Sequence, residues 1–156
     1  MKIYTLHYQQ RIPNSIKEAW SFFSDPKNLK VITPDYMGFD IVSGENKKIY
    51  AGQLIQYIVT PVAGIKTCWV TEITHCKEGE YFIDEQRFGP YTLWHHQHFF
   101  TEVDGGIEIE DLVHYKMPFG IIGQLVHPLL VKPKLEEIFI YRKNKLKSLF
   151  GTIGQN

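Results

Sequence analysis

The sequence predicts an α+β domain: a curved antiparallel sheet of about seven strands wrapped around a long C-terminal helix, with two short helices after the first strand. Three observations carry this. Between Gly38 and Met117, six runs rich in strand-forming residues are separated by short turn signals, the pattern of an antiparallel meander. Ahead of them, residues 14–26 carry a helix start signal. Behind them, from Leu135 to Phe150, apolar side chains repeat at helical spacing. No internal repeat, low-complexity tract or linker interrupts residues 1–156, so a single domain is expected, large enough to bury a substantial core.

The elements follow in order. Lys2–Arg11, with Ile3, Tyr4, Leu6 and Tyr8, predicts a first strand. In NSIKEAWSFFSDP, Ser15 caps a short helix, Glu18 completes an S-x-x-E capping box, and Ile16, Ala19, Trp20 and Phe23 share one face. Asp25-Pro26 starts a second helical turn, with Asp as cap and Pro first in the helix, ended by Ile32-Thr33-Pro34. Six strands are predicted at 39–44, 52–60, 65–74, 80–88, 91–103 and 106–117. Their turns fall at Gly44-Glu45-Asn46, Pro61–Gly64, Lys77–Gly79, Gly89-Pro90 and Asp104-Gly105-Gly106. Gly120–Val131 predicts a short helix or two turns, because Pro128 and Pro133 oppose one straight helix throughout. His127-Pro128 marks a bend, and Pro133 opens a long helix ending near Gly151.

Bulk properties narrow the partners. Lys+Arg and Asp+Glu both total 17, for a formal net charge of zero, which removes the electrostatic reason to expect nucleic acid or an anionic membrane. No run approaches the roughly 20 apolar residues of a membrane span, and the stretch MKIYTLHYQQRIPNS has no apolar run long enough for a signal peptide, so none is expected. A cytoplasmic location follows as the expectation, with Cys68 and Cys76 as reduced thiols. The aromatic content of 14% points to an aromatic core or an aromatic-lined cavity.

The stretch Trp94-His95-His96-Gln97-His98 raises the question of function. In residues 106–117 the odd positions Ile107, Ile109, Asp111, Val113, Tyr115 and Met117 form the inward face. A two-residue turn at Asp104-Gly105 or Gly105-Gly106 then turns Trp94, His96, His98 and Phe100 inward; with the first of these, His98 lies opposite Asp111. In the last helix Leu135, Ile138, Phe139, Leu146, Leu149 and Phe150 form a stripe with Arg142 in its middle. A buried arginine needs a carboxylate, and Asp111 is the first choice. Asp84 is the second, its strand parity being left open by the turn at Phe88–Pro90.

Asp25-Pro26, Ile32-Thr33-Pro34, Gly89-Pro90-Tyr91, Trp94-x-His96-x-His98-x-Phe100, Asp111-x-Val113-x-Tyr115-x-x-Pro118-x-Gly120 and Phe139-x-Tyr141-Arg142 together resemble a bacterial member of the SRPBCC superfamily. This helix-grip group includes START domains, birch-pollen-allergen-like proteins and polyketide cyclases. The resemblance spans essentially the whole chain. It implies a deep cavity between sheet and long helix that accepts an apolar or amphipathic small molecule, but the fold alone does not choose an activity.

The expected function is therefore binding, transport or sensing of a hydrophobic small molecule. Tyr57, Trp69, Trp94, Phe100, Tyr115 and Phe139 are the expected apolar walls, and Asp84, His96, His98, Asp111 and Arg142 the polar end. The alternative is a cofactor-independent cyclase or dehydratase with His96 or His98 as base, oriented by Asp111. A filled structural domain is the third reading. Two inward histidines and a carboxylate could hold a metal. Because His-x-His on a strand is weakly specific and the resembled family requires none, neither metal nor cofactor is expected. No G-x-S-x-G or phosphate-binding glycine loop is present. The loop 60–66 and the segment 118–130 flank the expected cavity mouth. Ile121, Ile122 and Leu125 there either form a lid or homodimer contact or, the simpler reading, pack under the sheet edge. The basic end RKNKLKS reads as a solvated helix face.

Overall fold

The first helix forms where its start signal lies. In this computed structural model, which describes residues 2–45, 48–60 and 65–153, strand β1 (Tyr4–Ile12) leads into helix α1 (Ile16–Phe23). The Glu18 N–H donates to Ser15 Oγ at 3.3 Å, and the Ser15 N–H donates to Glu18 Oε2 at 2.9 Å, closing the box. Ala19 and Trp20 are buried, with Ile16 and Phe23 packed beside them. The Asp25 carboxylate accepts from the Lys27 N–H at 3.1 Å and caps α2 (Lys27–Val31).

A short turn of 3-10 helix (Asp35–Met37) leads into the meander β2 (Asp40–Ser43), β3 (Gln53–Val59), β4 (Thr67–Lys77), β5 (Tyr81–Phe88), β6 (Leu93–Val103) and β7 (Gly106–Lys116). The strand order is β1-β7-β6-β5-β4-β3-β2, antiparallel throughout. Register shifts interrupt the β2–β3 and β4–β5 ladders, and such bulges bend a sheet. Strand β4 runs three residues past its predicted end because Cys76 and Lys77 still pair with Phe82 and Tyr81. The predicted turn at Pro61–Gly64, and Asn46 of another, lie outside the described residues.

The C-terminal region departs from expectation. Helix α3 (Gly120–Val126), a π turn (His127–Val131) and α4 (Lys132–Phe150) run on without a break. The Lys132 N–H donates to the His127 carbonyl five residues back. This wider turn accommodates rings and missing N–H groups that would interrupt ordinary i→i−4 bonding at Pro128 and Pro133. On α4, Leu135, Phe139, Arg142 and Leu146 are buried as predicted, but Leu149 is 45% exposed. Phe150, four residues beyond Leu146, stays closer to the buried stripe than Leu149, three beyond it.

Segment 118–130 lies largely on the surface as well. Phe119, Ile121, Ile122, Leu125 and Leu129 are between 69% and 82% exposed, so they do not pack under the sheet edge. Within it only Gly123 and His127 are buried, with Val131 just beyond continuing the same four-residue spacing. Among the described residues, no helix is long and apolar enough to cross a membrane.

Ser15→Ala removes one half of the capping box. It is expected to lower stability by about 1 kcal/mol, read as a lower urea midpoint at unchanged m value.

Candidate functional site

The hairpin between β6 and β7 turns on Asp104-Gly105, with Val103 opposite Gly106 and Gly105 at φ +80°. His98 therefore faces Asp111, and Trp94, His96 and Phe100 share its buried side. The neighbouring ladder settles the parity of β5, because Asp84 pairs with His96 and Phe82 with His98. Three adjacent strands thus place Asp84, His96, His98 and Asp111 in one cluster, and α4 brings Arg142 to it.

The cluster is tightly cross-linked. One nitrogen of each histidine shares a hydrogen bond with a carboxylate: His96 Nε2 with Asp111 Oδ1 at 2.9 Å, and His98 Nε2 with Asp84 Oδ2 at 3.0 Å. His98 Nδ1 lies 2.8 Å from Asp111 Oδ1, yet no hydrogen-bond geometry is achieved, so this contact is electrostatic. His96 Nδ1 sits 3.6 Å from Asp84 Oδ2. Phe82 stacks on His98 at 4.0 Å between ring centroids, and the two imidazoles lie 3.7 Å apart.

Arg142 stands on the predicted stripe but is not a hydrogen-bond partner of either acid. Its Nη1 is 3.6 Å from Asp111 Oδ1, its Nε has no partner among the described residues, and its guanidinium lies over Phe139 at 5.0 Å. The histidines, on the same sheet as Asp111, occupy the oxygen that sequence reasoning assigned first to Arg142.

Burial and pairing set the protonation. Desolvation, then the neighbouring His98, pushes His96 below the ordinary imidazole value, so it stays neutral. Burial opposes charge on His98 too, but contacts with Asp111 and Asp84 outweigh it and hold that imidazole above its ordinary value. Desolvation would likewise raise both acids. The hydrogen bond from His98 instead holds Asp84 low, and the hydrogen bond from His96 with the close contact of His98 holds Asp111 well below the usual carboxylate range. Two carboxylates therefore face one guanidinium and two imidazoles, of which His98 is the one whose charged form its partners favour. With Nε2 of neutral His96 donating to Asp111, its Nδ1 carries a lone pair.

Beside the cluster lies a cavity of about 170 Å³ between β3–β6, the α1–α2 region and α4. Cavities of about 150 Å³ accommodate a benzene-sized molecule. Of the expected residues, Tyr57, Trp69, Asp84, Trp94, His96, His98, Phe139 and Arg142 line it. Phe100, Asp111 and Tyr115 do not. Phe100 is spent in packing against Trp20 and Phe23, and Asp111 lies behind the histidines. Tyr115 shares a hydrogen bond of 2.7 Å with His127 Nε2 at the far end of the core. Segment 118–130 contributes nothing to the wall, and the loop residues 61–64 lie outside the described set.

Sequence reasoning missed several wall residues. Ile55, Val59, Thr71 and Ile73 share the inward face with Tyr57 and Trp69, which face each other across β3 and β4, so alternation alone would have found them. Phe82 follows from Asp84 once the parity of β5 is known. Met37 and Phe39, in the irregular stretch before β2, carry no periodic signal.

No family model matches this chain, and no curated protein matches it. Solved structures do. Protein Ms6760 from Mycobacterium smegmatis is similar at 20% identity and a TM-score of 0.67, over 96% of each chain. Ara h 8.0201 matches at 17% identity and 0.60, over 94% of this chain and 99% of its own. The major latex-like protein 151 from Panax ginseng matches at 10% identity and 0.64, over 95% and 97%. At these identities the likeness is one of fold.

Arg142→Met leaves the cluster one positive charge short and is expected to cost about 3 kcal/mol, whereas Lys145→Met, outside the cluster, stays within about 0.5 kcal/mol. Acid stability carries a second signature. The contribution of Asp111 is complete above the unfolded carboxylate value of 3.8 and is lost as pH falls through its lower folded value. Urea unfolding between about pH 5 and 2 should steepen accordingly in the wild type and flatten in Asp111→Asn.

Proposed function

We propose, from the helix-grip fold this chain shares with birch-pollen-allergen-like proteins of the SRPBCC superfamily, that it binds a small amphipathic molecule in the cavity between sheet and α4. The supporting observation is the asymmetry of that space. Aromatic and branched side chains make up most of its wall, and one corner presents His96, His98, Asp84 and Arg142. Ligand sites combine an apolar lining with a few placed polar groups in this manner. The occupant this suits is one or two rings or a short chain bearing a hydroxyl, carbonyl or carboxylate. The polar group turns toward Arg142 Nε, a buried donor without a partner among the described residues. A cytoplasmic carrier or sensor fits both free cysteines.

A second reading has its own support. Neutral His96, anchored through Nε2 by Asp111 and bearing its lone pair on Nδ1, has the arrangement of an oriented general base. In a cyclase or dehydratase it would take a proton from the bound substrate, with Asp84 and Asp111 stabilising the resulting imidazolium. His98, whose charged form two carboxylates favour, fits the acid rather than the base.

Native mass spectrometry of protein purified from its host decides whether the cavity carries a ligand. A retained organic mass is expected, and it should fall at least tenfold in occupancy in Ile138→Trp, which fills the space from a half-buried position on α4. A wild-type protein carrying no organic mass under gentle conditions, and binding none from host extract, counts against the binding reading. His96→Ala separates the two readings: turnover lost with affinity intact defeats the pure carrier.

A further inference from the structure

We propose that Asp84, His96 and His98 form a site for one divalent first-row transition metal at the polar corner of the cavity, with Asp111 holding both histidines from behind. The proposal shares a cavity with the ligand-binding reading but stands on side-chain geometry alone.

A His-x-His pair on a strand is a weak signal. The fold adds the third ligand and the support. One donor atom from each of Asp84, His96 and His98 can be chosen so that all lie within 4.8 Å of one another. Asp84 Oδ2 is 3.0 Å from His98 Nε2 and 3.6 Å from His96 Nδ1. Atoms bonded at 2.0–2.1 Å to a shared tetrahedral centre sit about 3.3 Å apart, between these two separations. Small side-chain adjustments therefore convert the cluster into a two-histidine, one-carboxylate site.

The outer shell is also in place. Asp111 Oδ1 meets the remaining nitrogen of each ring, His96 Nε2 at 2.9 Å and His98 Nδ1 at 2.8 Å. A carboxylate behind a metal-bound imidazole fixes which nitrogen faces the metal and strengthens it as a ligand. Here one carboxylate oxygen serves two rings. Phe82 against His98, and the edge-on contact of Phe139 with His96, limit rotation of both rings.

Charge indicates what completes the site. With a divalent ion bound, both ligating imidazoles are neutral. Two carboxylates, one guanidinium and the ion then leave a net charge of +1. A single anion restores neutrality. Asp84, His96 and His98 line the cavity while Asp111 does not, so the open coordination position faces the cavity. A hydroxide, or a carboxylate, phenolate or enolate of the cavity's occupant, is the chemistry that fits. Two nitrogen donors and one oxygen donor without thiolate suit Zn²⁺, Fe²⁺ or Co²⁺.

The test uses metal alone. Chelator-treated protein is titrated with Zn²⁺ by calorimetry and with Co²⁺ by visible absorption. One equivalent and a ligand-field spectrum are expected. Asp84→Asn should weaken Zn²⁺ binding at least about a hundredfold and Asp111→Asn about 10- to 100-fold, with His114→Ala unchanged. A wild-type protein that binds no stoichiometric metal overturns the proposal, as does Asp84→Asn, folded by circular dichroism, binding as tightly as wild type. If Asp84→Asn does not fold, the wild-type stoichiometry and Co²⁺ spectrum decide alone. Metal without organic ligand leaves this site standing and sinks the ligand-binding reading, and organic ligand without metal does the reverse.

Discussion

Two carboxylates lie in the interior of this chain, and an isolated charge there costs several kcal/mol even after relaxation. Asp84 and Asp111 are held in the ionised form by hydrogen bonds from His98 and His96, by the Arg142 guanidinium, and by His98 taking up a proton more readily than an ordinary imidazole. Strands β5, β6 and β7 and helix α4 answer to this requirement. A slip of one residue in β6 would turn both imidazoles to solvent and leave two acids orphaned, so the cluster pins the register of β5, β6 and β7 together. It equally pins the rotation of α4, since Arg142 reaches the carboxylates from one helical face only.

The same cluster helps keep the interior hollow. The apolar core divides into two groups, one around Trp20, Phe82 and Phe100 and one around Trp94, Tyr115, Leu135 and Phe139. Trp69 touches both. Between them, the charged groups occupy the ground where aliphatic side chains would otherwise interlock, and the concave face of the sheet remains partly open. The walls are stiff nonetheless. Trp94 meets Trp69 at 89° and Tyr91 packs on both, a set of edge and tilted aromatic contacts that resists collapse into the void.

How much of this was legible in the sequence depends on the kind of signal. Strand alternation and a two-residue turn were enough to turn His96 and His98 inward and to set His98 opposite Asp111, because parity propagates along a regular ladder. Asp84 resisted the same logic: the irregular Phe88–Thr92 connection breaks the counting, and only pairing across β5 and β6 restores it. Arg142 was recognisable as buried, but not its distance from Asp111, since helix phase fixes direction and says nothing about which competitor arrives first. Phe100 and Tyr115 show the limit of an inward assignment. Facing the core is not facing the cavity, and the difference rests on neighbours such as Trp20 and His127 contributed by distant parts of the chain.

The π turn at His127–Val131 has a consequence beyond tolerating prolines. A π turn holds one residue more than the α-helical path between the same flanks, and each residue advances an α-helix by about 100°. Were the same residues wound as ordinary α-helix instead, everything downstream would be re-aimed by about that angle, swinging the guanidinium out of the interior while the rod remained intact. The inward facing of that guanidinium thus depends on how a stretch that touches neither acid is wound. Comparisons between relatives should accordingly count residues across this bend before matching anything beyond it.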